Sequence, residues 1–224
     1  MLASHLEGVY RLQILFPEWQ YLIAMFTDYA YQAVIAFFLL SGFSIHHSNQ
    51  QRNLATAKGL NRYYFLRFRR IYPIFLYAVL LTLVLAAVGC ELSISQYCKD
   101  LSHISPGYLV LNLLFLADRD YIPGALSPVL PGNSPLWSLS YEVVYYIIYP
   151  VIWLVYARLG NIAALWLGII VSMLAIVVTW LGHPNHFSNV LGLYFLWCLG
   201  AWAPGLPRCG KIITGFAGRH GYIC

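Results

Sequence analysis

PLWSLSYEVVYYIIYP, residues 135–150, decides how this chain is read. The stretch is apolar over much of a membrane's thickness, yet it carries a carboxylate, Glu142. Placed on a helix at about 100° per residue, Ser138, Tyr141, Glu142, Tyr145, Tyr146 and Tyr149 gather on one side. Val143, Val144 and Ile147 take the other. One face therefore suits lipid and the other a polar interior. An ionised Glu inside hydrocarbon costs about 2.5 kcal/mol or more, a cost met by a partner or a purpose. Glu142 is accordingly a candidate catalytic residue, weighed against a structural carboxyl bonded to its tyrosines. Ser138, Tyr145 and Tyr146 are candidate substrate-binding residues on the same face.

The rest of the 224 residues fits a membrane setting, with 60% hydrophobic and only 9% charged residues. A soluble domain carries about 25% charged residues. The fold class expected is all-α, a polytopic integral membrane helical bundle in one domain, residues 1–224, without a separate soluble part. Apolar runs at 29–45, 71–89, 135–150, 162–181 and 187–203 give about five full spans. Residues 1–6 read as the stub of a first helix, and the run at 107–117 is short enough to be either a crossing or a re-entrant segment. Pro73 falls in the first turns of its span, where proline is tolerated.

The net charge of +5 excludes little by itself, but its distribution is informative. Arg52, Lys58, Arg62, Arg67, Arg69 and Arg70 crowd residues 46–70 with no acid among them. That excess sets topology, placing the loop in the cytoplasm, and does not track a nucleic acid. The five cysteines show no zinc spacing, and Cys90 and Cys98 share a loop where a disulfide is open. His46 and His47 read as membrane-edge loop residues, His183 and His186 as a turn, and Ser41 and Gly42 as helix packing. No metal is expected.

Two further polar groups stand beside the membrane. His5 is a lone imidazole, which by itself reads as interfacial packing, although an imidazole titrates near neutrality and can take a proton from a hydroxyl. Arg67 and Arg70, three apart, share a helix face while Arg69 points elsewhere, and two guanidinium forks on one face suit phosphate, weighed against plain cytoplasmic anchoring, the better reading of such a cluster in isolation.

Four segments together carry a resemblance: SHL (4–6), FFLLSG (37–42), RFRRIYP (67–73) and LWSLSYEVVYYIIYP (136–150). Their order and spacing resemble the acyltransferase 3 family, integral-membrane enzymes that acylate sugars of surface polysaccharides, related carbohydrates and other small acceptors. Trp137, Ser138, Ser140, Glu142, Tyr146 and Pro150 fall where the family's most specific motif wants them. The resemblance covers most of the chain but only the front part of a longer family member. It implies that His5 is the essential histidine and that Arg67 and Arg70 meet acyl-CoA, most often acetyl-CoA. It further implies a carbohydrate acceptor, no metal, no nucleic acid, and a multi-pass place in the lipid bilayer of a bacterial inner membrane. The family's arginine eleven residues before the histidine would precede Met1, so the coding region is expected to continue upstream. The alternatives are a transporter or permease, against which the lack of an inverted repeat argues, and an inactive truncated remnant.

Overall fold

The computed structural model describes residues 20–50, 52–92, 95–118, 122–202, 211–212 and 221–222. Within them the chain forms α1 (Gln20–Asn49), α2 (Ala57–Glu91), α3 (Ser95–Ser102) and α4 (Pro106–Leu113). The two-residue bridges β1 (Ala117–Asp118) and β2 (Ser127–Pro128) follow, then α5 (Leu136–Trp180), α6 (His186–Gly192) and α7 (Tyr194–Trp202). A last pair, β3 (Lys211–Ile212) and β4 (Gly221–Tyr222), is antiparallel. Helix dominates because the apolar runs contain few breakers, and the starts are capped in ways the sequence supplies. Thr56 accepts from the Gly59 N–H at 3.2 Å to open α2, and Asn185 with Ser188 forms a reciprocal capping box on α6.

Two helices among the described residues, α2 and α5, are long and apolar enough to cross a membrane. Their outer faces bear it out. Ile74, Leu81, Leu85 and Val88 on α2, and Ile162, Trp166, Ile170 and Met173 on α5, are exposed, while Glu142, Ser140 and Ser172 are buried. Apolar outside and polar inside is the arrangement hydrocarbon selects, since water would favour the reverse.

The expected spans at 135–150 and 162–181 appear as one element broken at Gly160, whose φ of 80° and ψ of −178° lie outside the helix. A side chain would resist that φ, and glycine does not. The chain reverses there. Tyr145 donates to the Val190 carbonyl (2.7 Å), whereas beyond the break Phe195 N–H donates to Ser172 (2.8 Å) and Thr179 meets Ser188 (3.1 Å). Both halves of α5 thus flank α6 and α7, running in opposite directions. Helix α1 runs alongside the first half, with Phe38 against Tyr145 and the Asn49 carbonyl accepting from Trp153 at 3.3 Å. Helix α2 runs against it, from Tyr63 beside Tyr146 to Thr82 beside Asn133.

Other expectations change. The run at 107–117 yields only the eight residues of α4, a rise of about 12 Å against about 30 Å of hydrocarbon, so α4 does not cross. It caps the bundle instead, Tyr108 donating to the Val129 carbonyl at 2.7 Å and Asn112 to that of Pro128 at 3.2 Å. The span at 187–203 is two short helices. Helix α2 begins at Ala57, earlier than the run at 71–89, so Pro73 lies in mid-helix and not in the first turns. His46 belongs to α1, which runs to Asn49, and is not a loop residue. Cys90 and Cys98 are joined in a disulfide that ties α3 to the end of α2. His186 is buried against Asp118 at 2.8 Å, pinning β1 to α6, while His183 is exposed.

Candidate active site

Proline at 150 explains how the site is assembled. Lacking an N–H, Pro150 leaves the Tyr146 carbonyl without its helical donor. The Tyr63 hydroxyl supplies one at 3.0 Å, and Tyr64 donates to the neighbouring Ile147 carbonyl at 3.0 Å. These bonds dock α2 on α5 at a fixed height. Arg67, one turn beyond Tyr63, consequently lies over the Tyr63 and Tyr146 rings at 5.6 and 5.9 Å and donates to Ser48 at 3.1 Å.

On the other side of Tyr146 stands Glu142. Its Oε1 accepts from the hydroxyls of both Ser41 and Tyr146, which are themselves 3.1 Å apart. Trp197, wholly buried, donates from its indole to Ser41 at 3.2 Å. Glu142, Ser41, Tyr146 and Arg70 all line one cavity of about 360 Å³, walled otherwise by Phe37, Leu40, Phe43, Ser44 and Ile45 of α1. A buried carboxylate and an exposed guanidinium therefore line one space on an otherwise apolar bundle. That is chemistry for a polar or anionic ligand, and packing alone does not call for it.

The buried face expected on residues 135–150 is present: Tyr141, Glu142, Tyr145, Tyr146 and Tyr149 are buried, and Ile147 is exposed. Its members differ in what they reach. Tyr146 lines the cavity, but Tyr145 spends its hydroxyl on Val190, and Ser138 donates to the Pro135 carbonyl at 2.8 Å in the first turn. Neither is in the cavity wall. Arg70 faces the cavity, Arg67 sits half-buried behind Tyr146, and Arg69 is exposed. His5 lies outside the described residues. Among the described residues no cluster of three metal-ligating side chains occurs.

Comparison with known proteins settles the family. The acyltransferase 3 family, described as an acyltransferase domain, matches residues 8–207. The chain belongs to that family. No curated protein and no solved structure matches it. The matched range takes in the α1, α2 and α5 segments that build the cavity, and it begins three residues after His5. Membership makes the chain a membrane acyltransferase in kind, so a polar cavity at the meeting of three helices is where its chemistry is to be sought.

Sequence reasoning alone passes over two residues of this site, Ser41 and Trp197, and over the burial of His46 outside it. Ser41 reads as a small packing residue, although a mid-helix hydroxyl in an apolar run was a signal that a buried carboxylate could use it. His46 is buried, 3.2 Å from the Tyr149 hydroxyl and edge-on to Tyr156. Trp197 is one aromatic among many, and no spacing connects it to Glu142.

Proposed function

We propose that this chain is a membrane-embedded O-acyltransferase moving an acyl group, acetyl in the first instance, from acyl-CoA to a hydroxyl of a carbohydrate such as a surface polysaccharide or its precursor. The observation that carries the reading is the cavity in which Glu142 and Arg70 face one space, with Arg67 beside it. Arg67 and Arg70 would hold the phosphates of the acyl-CoA, since paired guanidinium forks match phosphate oxygens. The thioester would then reach in along the α1 wall. His5 would take the proton of the acceptor hydroxyl, whose oxygen attacks the thioester carbonyl. The carbon–sulfur bond breaks, and CoA leaves as the thiolate, which is reprotonated. Glu142 would accept a hydrogen bond from the acceptor, an ionised carboxylate being an acceptor only. No metal is needed in this sequence of steps.

Orientation in the membrane follows from two features at opposite ends of α2. Its start carries the basic residues, and its end carries the Cys90–Cys98 disulfide. Positive charge favours the cytoplasm and disulfides an oxidising compartment. The loop at 46–70 is accordingly cytoplasmic, in a bacterial inner membrane crossed by a bundle of about five spans.

Membranes containing the protein, incubated with radiolabelled acetyl-CoA and a panel of glycans, test this directly. Label transferred to a glycan is the expected result. Uptake of a glycan with no loss of acetyl-CoA would identify a transporter and overturn the proposal.

A further inference from the structure

We propose that Ser41 and Trp197 are positioning residues that fix Glu142 so that Oε2, and not Oε1, is the oxygen presented to the substrate; this rests on the assignment of the cavity to acyl transfer. The direction of the hydrogen bonds carries the argument. An indole N–H can only donate, so the Trp197 bond to Ser41 Oγ runs one way. It fills an acceptor site on Ser41, whose single hydrogen goes to Oε1 of Glu142. The Tyr146 hydrogen goes to the same Oε1. Oε1 thus holds two donors, while no hydrogen bond to Oε2 occurs among the described residues, and Glu142 lines the cavity.

The geometry behind this relay comes from three helices. Gly42, next to Ser41, brings α1 against α7 so closely that a Cβ there would strike the Trp197 carbonyl. The dipeptide Ser41-Gly42 therefore has two separate tasks: glycine sets the approach and serine delivers the hydroxyl. Trp197 is held in turn by stacking on Tyr194, with ring centroids 5.9 Å apart and planes 13° from parallel. A carboxyl oxygen anchored this firmly gives its partner oxygen a defined direction, which is what a group acting on a substrate needs.

The test uses the full chain in membranes, with radiolabelled acetyl-CoA and the glycan panel. Ser41→Ala should lower kcat about 10- to 100-fold with the KM for acetyl-CoA within about twofold, and Ser41→Thr should restore most of the loss. Adding Ser41→Ala to Glu142→Gln should cost no more than about twofold further, because residues acting through one another are not additive. Infrared difference spectra that isolate the Glu142 carboxyl, taken without any substrate, should show its band moved by Ser41→Ala and by Trp197→Phe. A Ser41→Ala protein with unchanged kcat and an unchanged carboxyl band would overturn the positioning role, as would losses in the double variant that multiply. Wild-type protein inert toward every acceptor would refute the acyltransferase reading instead, and the infrared bands would still decide the hydrogen-bond relay.

Discussion

Glu142 is 5% exposed in a helix whose opposite face meets lipid, and its Oε1 is occupied by Ser41 and Tyr146. In the proposed mechanism the residues that hold the site are distinct from His5, which would move the proton. His5→Ala should lower transfer by about 10²- to 10⁴-fold, the usual cost of losing a general base. Acyl-CoA binding and membrane insertion should stay near normal, since the base acts on the acceptor; transfer assays beside a binding assay on the same membranes check both. Near-normal turnover would remove His5 from the mechanism. Glu142 and Tyr146 were legible in the sequence because a carboxylate in an apolar run announces itself and helical periodicity names its neighbours. Ser41 was not, because its partner lies 101 positions away. Periodicity relates residues within one element and is silent between elements. The same limit hid the split between Arg67 and Arg70: their spacing puts them on one face, but which one meets the cavity depends on the helix packed against it.

Among the elements, α2 and α5 are joined through a defect in one of them. Pro150 exposes a carbonyl that Tyr63 completes. Tyr63→Phe should therefore destabilise the protein by about 0.6 to 1.7 kcal/mol, the range for hydrogen bonds between membrane helices, seen as a lower Tm in detergent. Against a Pro150→Ala background, whose N–H restores the helical bond, the same substitution should cost close to nothing. Equal losses in both backgrounds would show that the Tyr63 hydroxyl does not serve the proline's carbonyl. Gly160→Ala should cost about 1 to 2 kcal/mol, because its φ of 80° is strained for any side chain. The apolar runs locate both halves of α5, and the reversal at Gly160 leaves them as two stretches running in opposite directions. Boundaries were harder. Helix α2 begins ahead of its apolar run among Lys and Arg residues, where hydropathy falls but helical propensity does not, and α1 continues through His46 to Asn49 in spite of their weaker propensity. The run at 107–117 was ambiguous because an apolar composition does not state a length, and only the early end of α4 at Leu113 decides it.

For the whole molecule, the proposed orientation gives an inside and an outside that labelling tests. A single cysteine placed at Ala55, in a Cys209→Ser, Cys224→Ser background, should react with an impermeant maleimide only after the cells are opened. One at Leu126 should react in intact cells. Both positions are exposed, so labelling of the two from the same side would contradict the arrangement in which α2 links opposite faces. The central claim is that the arginines of α2 receive the acyl-CoA, and its most direct measurement is equilibrium binding of labelled acetyl-CoA to membranes carrying one substitution at a time. Arg67→Lys and Arg70→Lys should each weaken binding, because lysine keeps the charge but loses the two-pronged contact with phosphate. Arg69→Lys, at an exposed position away from the cavity, should bind as the unaltered protein does. Equal weakening at all three positions would reduce the cluster to a membrane anchor and contradict the account.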